Sequence, residues 1–335
     1  MSSTSSPLAA RKGRRVIALI GLLAIAVAAI AGCGSGAETE AAEPQTRVIE
    51  TAGGPVTVPA AAERIVVLSG GLAGYLYALE APVVATDTRV LGVTNFDGGF
   101  PPAWSAKAIA QGTTELPAGE QLNIEAVAAA DPDLIIGGGQ GVTSVQAEEL
   151  HDQLAAIAPT VLIPKTVTSW KEQLRLVAEA AGRSDRVQAM MTTYDDRVAQ
   201  VRSAIAVPEG PTVYLLSVGS DKPFLIPPAA ALPEMLGELG FAADDVLSKA
   251  GNPPLFGSGD SFEVSPELLS TVADAPVAFV VPVSGRALAE LAQDPLYARL
   301  PAIARGKAFE LPATSYRPDY DGVMATLDVI EKSFG

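Results

Sequence analysis

The sequence predicts an α/β protein: two lobes with mostly parallel sheets, joined by a single long rigid helix. Short apolar runs bounded by Gly and Pro alternate with helical patterns through the first half, as parallel sheets require. The same alternation restarts after residue 207. Between the halves, residues 184–205 keep one apolar helical face without a break.

The elements follow in order. "VTVPAAAERIVVLSGG" gives a short alternating strand, a turn and a buried strand over Ile65–Leu68. "VVATDTR", "PDLIIGG" and "PTVLI" are further buried strands, and "NIEAVAAA" and "QAEELHDQLAAI" are helices between them. Trp170–Ala181 is a helix stopped by Gly182, after which Ser184 offers an N-cap for the next. Val187, Met191, Tyr194, Val198, Val201 and Ile205 recur at three or four residues and form one face of that long helix. "VPEGP" ends it. The second half reads strand "TVYLLSVG", helix "ALPEMLGELG", helix "SPELLSTVA", strand "VAFVVPV", strand "KAFELP", and a last helix carrying Val323, Leu327, Ile330 and Phe334. The predicted boundaries are an export signal over 1–32, a flexible tether over 33–54, an N-terminal lobe over 55–183, the interlobe helix over 184–206 and a C-terminal lobe over 207–335. Each lobe is expected to have its own core.

The first residues are not part of the fold. "RKGRR" followed by "VIALIGLLAIAVAAI" is a basic stretch before an apolar run that is short for a membrane span and ends in small residues. "IAGC" then resembles a bacterial lipobox, with Cys33 as the lipidated residue and new N-terminus. Cys33 is the only cysteine, so no disulfide framework is possible. Acylation there would hold the protein at the extracytoplasmic face of the cell membrane, through its lipid alone. "GSGAETEAAEPQTRVIETAG" reads as the tether.

Charge excludes some partners. The chain carries −15, and removal of the four basic residues ahead of position 33 leaves 19 basic against 38 acidic residues, or −19. Such a body is a poor partner for nucleic acid. Catalytic motifs are absent as well. His151, the single histidine, lies in the polar helical stretch "EELHDQL" and reads as a solvated side chain. There is no G-x-S-x-G elbow and no phosphate-binding G-x-x-x-x-G-K-[ST] loop. "GGGQG", residues 137–141, is a tight turn at a strand end. No enzyme is expected, and no metal site or cofactor of the protein's own.

Several stretches together resemble a known family: "VPAAAERIVVLS", "LNIEAVAAADPDLIIGG", "LHDQLAAIAPTVLI…SWKEQLRLVAEAAG", "EMLGELGF" and "DPLYARLPAIARGKAFELP". They resemble the lipoprotein substrate-binding subunits of bacterial ABC importers for iron chelates, haem and cobalamin. The last stretch, with the "YRPDY" segment after it, is most similar to ferric-enterobactin-type periplasmic binding proteins. The resemblance implies the class III periplasmic-binding-protein fold and a ferric siderophore, catecholate-type favoured, captured between the lobes. Iron would arrive already chelated, for delivery to a dimeric ABC permease with its ATPase. It also implies that Glu125 and Glu267, one per lobe in equivalent first helical turns, dock on the permease. On physical grounds alone, an acidic residue there only complements the helix end.

The ligand cleft of such a fold lies at strand ends. Candidates from the first lobe are Tyr75, Arg89, Trp104 and Gln140, and from the second Phe224, Phe256, Tyr316, Arg317 and Tyr320. Arg89 and Arg317 match positions where the enterobactin-binding relatives place anion-binding arginines. Paired guanidiniums from opposite lobes would suit a trianionic chelate, and the aromatic rings would stack on catechol planes. Two alternatives stay open on these residues: a haem or cobalamin binder of the same fold, with Tyr75 or a C-terminal-lobe tyrosine on haem iron, and a non-transporting surface sensor or scaffold. In "SYRPDYDG", Pro318 biases Arg317 to extended backbone, and Asp319 or Asp321 can start the last helix.

Overall fold

A computed structural model describes residues 45–93, 99–220 and 222–335. The expected export signal, Cys33 and the tether up to residue 44 lie outside the described residues.

The described chain begins with a hairpin where the sequence reads as tether. Strand β1 (Thr46–Thr51) pairs antiparallel with β2 (Gly54–Pro59). The tether expectation fails here because "TRVIET" alternates side chains strongly enough to bury Ile49, which pairs with Val56 and lies diagonal to the fully buried Val58. Arg47 fixes the hairpin to the helix Trp170–Ala181 by donating from Nη2 to the Ala180 carbonyl at 2.6 Å. A cation at the carbonyl end of a helix is favoured by its dipole.

The first half then runs β3 (Ile65–Val67), α1 (Gly70–Ala78), β4 (Val83–Thr86), α2 (Ser105–Gln111), β5 (Thr114–Glu115), α3 (Ile124–Ala129), β6 (Leu134–Gly138), α4 (Val142–Glu149), α5 (His151–Ala155), β7 (Thr160–Ile163) and α6 (Trp170–Ala181). Its strands form an all-parallel sheet in the order β5-β4-β3-β6-β7. Helix α7 (Ser184–Ala204) follows, about 32 Å long at 1.5 Å per residue. Ser184 is its first helical residue, and Arg183 takes the capping position without a side-chain bond.

The second half runs β8 (Pro211–Ser217), β9 (Phe224–Leu225), α8 (Ala231–Leu239), β10 (Ala242–Ala243), α9 (Val246–Lys249), β11 (Phe262–Glu263), α10 (Pro266–Val272), β12 (Val277–Pro282), α11 (Leu288–Leu291), α12 (Pro295–Ala298), α13 (Pro301–Ala304), β13 (Ala308–Glu310) and α14 (Tyr320–Phe334). Its sheet order is β11-β9-β8-β12-β13, with β10 also on β8. The β8–β12, β12–β13 and β8–β10 pairs are parallel, whereas β9 is antiparallel to β8 and β11.

Both sheets are covered on both faces, which is why their central strands read as unbroken apolar runs. Val66 and Ile135 face one core with Leu154, while Ile65, Val67 and Ile136 face another. In the second sheet Val213, Leu215 and Val280 point one way and Tyr214, Leu216, Phe279 and Val281 the other. The inward faces of both sheets belong to one continuous cluster with α1, α6, α7 and α14. Each half keeps a core of its own on the outer face of its sheet, and between them the apolar faces of these helices pack on each other in a third, shared core, so that the two halves form one compact unit. Tyr194 and Val201 of α7 are fully buried in that cluster, on the face the sequence spacing selects.

Tyr214 is buried in the centre of β8, stacked on Phe279 with ring centroids 5.8 Å apart, and its hydroxyl has no partner among the described residues. A buried hydroxyl without a bond costs about 1 kcal/mol or more. Tyr214→Phe is expected to raise stability by about that amount. It should appear as a higher denaturant midpoint with an unchanged slope; a lower midpoint would mean that the hydroxyl is satisfied.

Candidate ligand cleft

Two adjoining cavities open where the parallel strands of the first half end, against the segment that leads into α14. The first, of about 320 Å³, is walled by Ser69 and Leu72 after β3, by Arg89–Val93 after β4, by Gln140–Thr143 after β6, and by Gln173, Arg317 and Pro318. The second, of about 250 Å³, is walled by Pro101–Trp104 and by Thr314, Asp319, Asp321 and Ala325. Gly71, Val90, Val93 and Arg317 belong to both.

Local sequence explains how each wall is placed. Gly70 opens α1, and a Cβ there would lie 2.6 Å from the Arg89 carbonyl oxygen, so only glycine lets the loop after β4 close over the helix. The "GGGQG" turn forms as expected: Gly138, Gly139 and Gly141 have φ of 82, 74 and 102°, which swings Gln140 into the cavity. On the far side Asp319 caps α14, its Oδ1 accepting from the Gly322 N–H at 2.7 Å, and so fixes the bend carrying Arg317 just ahead of the helix.

Both arginines of the wall are already paired. Arg89 donates from Nη2 to Asp87 Oδ2 at 2.5 Å and to Gln146 Oε1 at 2.9 Å, and from Nη1 to the Gly119 carbonyl at 3.1 Å. Arg317 grips Asp260 with two bonds, Nε to Oδ2 at 2.5 Å and Nη2 to Oδ1 at 2.9 Å. Burial works against the charge of Arg317, and the bond to Asp260 more than offsets it, holding the guanidinium charged. Each expected anion-binding arginine thus already carries a carboxylate partner of the protein's own.

Other expected site residues go elsewhere. Tyr75 is buried, and its hydroxyl donates to the Pro318 carbonyl at 2.9 Å, tying α1 to the segment before α14; it lines neither cavity. Trp104 lines the second cavity but is 1% exposed, stacked on Tyr77 at 5.0 Å. Tyr316 is buried beneath Arg317, whose guanidinium carbon sits 5.0 Å from its ring centroid, and burial pushes its phenol well up. Tyr320 donates to the Met190 carbonyl at 3.2 Å, joining α14 to α7. Phe224 and Phe256 pack edge to face at 5.5 Å outside both cavities, with Phe256 58% exposed. Large aromatics supply the most area for packing: Tyr75 and Tyr320 are taken by the junctions with α14 and α7, while Trp104 and the Phe224–Phe256 pair pack within one half. Of the expected residues, Arg89, Gln140 and Arg317 meet in the first cavity, and Trp104 joins Arg317 in the second. Sequence reading missed Asp87, Asp260 and Gln173. Asp87 had a signal, two residues from Arg89; Asp260, in a Gly-Ser turn, had none.

Asp319 carries a second consequence. Enclosure by α1 and α14 raises its carboxyl to about 6, with Asp321 adding to the rise and the Gly322 N–H opposing it. A carboxyl raised in the folded state contributes stability below its ordinary pKa of about 4 that is lost as pH rises through about 6. Asp319→Asn keeps the cap and avoids the buried charge. It is expected to exceed the native protein in stability at pH 7.5 by about 2 kcal/mol, below the full linkage value because the carboxylate faces the second cavity. Urea unfolding at pH 7.5 and at pH 4 checks this, since the difference should vanish at the lower pH.

Glu125 and Glu267 are exposed, each in the first turn of a helix that leads into a central strand, α3 into β6 and α10 into β12. Its own N–H and the Ser265 hydroxyl hold the Glu267 carboxyl below the usual range. His151 is partly exposed beside Asp152 at 3.7 Å. Among the described residues no three His, Cys, Asp or Glu side chains are grouped to hold a metal ion.

A cleft at parallel strand ends, walled by loops from one sheet and faced by the loop before the last helix, defines a ligand-capturing α/β protein. The chain belongs to the periplasmic binding protein family, whose model matches residues 65–314. It is 29% identical over 324 residues to the ferric enterobactin-binding periplasmic protein FepB of Escherichia coli, covering 96% of this chain and 98% of that one. It is 28% identical over 204 residues to the probable siderophore-binding lipoprotein YfiY of Bacillus subtilis, covering 60% of this chain and 59% of that one. The crystal structure of holo-ViuP superposes with a TM-score of 0.73 at 22% identity, over 86% of this chain and 95% of that one. The family and these relatives are binding proteins, and this chain is one too, not an enzyme.

Proposed function

We propose that the protein captures a ferric siderophore in the paired cavities and delivers it to an ABC permease with its ATPase. The observation that carries this is the match to FepB along nearly the whole of both chains. Its named ligand also supports a catecholate-type chelate here. Cleft chemistry fits: guanidinium, amide and hydroxyl donors from Arg317, Gln140, Gln173 and Thr143 beside the apolar Leu72, Val90 and Val142 suit a chelate with an oxygen-rich centre and planar arms. The protein works at the extracytoplasmic face of the membrane, anchored through lipid on Cys33, a reading that the lipoprotein relative supports. Haem ligation by Tyr75 draws no support from the structure, since that hydroxyl is buried on a carbonyl.

A fluorescence titration against a ferric catecholate, a ferric hydroxamate, haem and cobalamin tests the reading. Trp104, on the second cavity, is the expected reporter. Quenching by an iron chelate is the expected result, and binding of haem or cobalamin alone would overturn it. Permease docking falls to Glu125 and Glu267, one on each half. Reversing both charges should abolish uptake and leave chelate affinity intact; a loss of affinity would remove the docking role.

A further inference from the structure

Arg317 and Gln140 reach the same carboxylate from opposite halves of the molecule. Asp260 receives both bonds from the guanidinium, and its Oδ2 also accepts from Gln140 Nε2 at 3.1 Å. Gln140 Oε1 in turn accepts from Gln173 Nε2 at 3.3 Å. The Asp260 side chain is 4% exposed and that of Arg317 19%. A built turn holds the carboxylate there: the Phe256 N–H donates to the Ser261 carbonyl at 2.6 Å, and Gly257 and Gly259 take φ of 56 and 88°. The turn sends Phe256 outward and Asp260 inward.

The pairing decides the electrostatics of the cleft. Among the described residues Arg89 and Arg317 are the only charged ones in the wall of the first cavity, and each meets a buried aspartate. Arg89 is further occupied by Gln146 and the Gly119 carbonyl, which turn it toward the 119–120 loop. Arg317 makes its pair through Nε and Nη2 only and lines both cavities. A trianion therefore approaches a guanidinium whose charge is offset but whose donors are rigidly aimed. Attraction that would otherwise scale with ligand charge is largely cancelled, while hydrogen bonding is kept.

We propose that Asp260 is the specificity-determining residue for ligand charge: as the internal counter-ion of Arg317 it lets the cleft accept iron chelates of low net charge as well as trianions. The proposal rests on the siderophore reading above. Asp260 acts through Arg317 and is a positioning residue whose charge, beyond its shape, matters.

The test compares a trianionic ferric tris-catecholate with a neutral ferric tris-hydroxamate on the intact protein and on Asp260→Asn, which preserves shape and removes charge. The ratio of affinities, trianion over neutral, should rise at least tenfold in the variant, with a steeper loss of trianion affinity in added salt. Gln140→Lys, which gives Asp260 a second cation and leaves the turn intact, should move the ratio the same way, so the proposal does not hang on one variant folding. Equal changes for both chelates, or a falling ratio, would overturn it, because a purely structural role moves both alike. If the native protein binds neither chelate, the siderophore reading fails by itself. A gain of trianion binding in Asp260→Asn would then still uphold the charge-setting role, and no gain would end it.

Discussion

Arg317→Ala is expected to weaken binding of a ferric catecholate by at least tenfold and to destabilise the fold as well. A hydrogen bond from a charged donor contributes about 1.5–3 kcal/mol, and each 1.4 kcal/mol is tenfold in affinity. The loss compounds because the variant leaves the Asp260 carboxylate nearly buried without its cation, facing the ligand with negative charge. Breaking a buried pair by removing one partner costs about 3 kcal/mol or more of stability. Titration and urea unfolding on the same sample separate the two effects. An unchanged affinity would return the 314–322 segment to a purely structural role in starting α14.

The second large effect is expected at Trp170, where α6, α7 and α14 meet. Its ring packs edge-on against Tyr194 at 4.8 Å and lies 6.3 Å from Tyr320, and it is 3% exposed. Around it the Tyr194 hydroxyl donates to Glu238 of α8 at 2.8 Å, and Lys171 reaches the same carboxylate at 2.7 Å. One aromatic thus joins helices of both halves to the long helix between them. Trp170→Ala should cost about 3–5 kcal/mol, the range for emptying a large aromatic site in a core. Trp170→Phe should cost much less. Denaturant unfolding checks both, and a loss below about 1 kcal/mol for the alanine variant would show that the helices repack without the ring.

How far the sequence discloses this molecule differs by feature. Strands such as Ile65–Val67 and Val277–Pro282 are legible because burial on both faces leaves an uninterrupted apolar run. The buried face of α7 is legible from spacing, and the Asp319 cap and the loop position of Arg317 from local chemistry. Aromatic roles were not. Tyr75, Tyr316 and Tyr320 carry polar tips that suit a ligand equally well as they suit a buried carbonyl or a guanidinium overhead, and spacing does not say which they face. The counter-ions were hidden for another reason. Asp260 lies 57 residues from Arg317 in a glycine-rich turn, and such a pairing leaves no periodic trace. The strand Thr46–Thr51 was hidden by composition, since the glycines, prolines and glutamates around it also describe a tether, whereas its partner was legible from the alternation in "VTVP".

Gly74 in α1 packs so closely on α14 that a Cβ there would fall 1.7 Å from Asp319 Oδ2. Nothing larger than hydrogen fits while the capping aspartate stays where it is. These two positions, at opposite ends of the sequence, therefore share one small volume, and neither can drift alone. In related chains a side chain at 74 should be found only with a shorter cap at 319, or with the last helix displaced. Homologous sequences aligned at these two columns should vary together, and a lineage that lost the pairing would have had to re-engineer how its two halves meet.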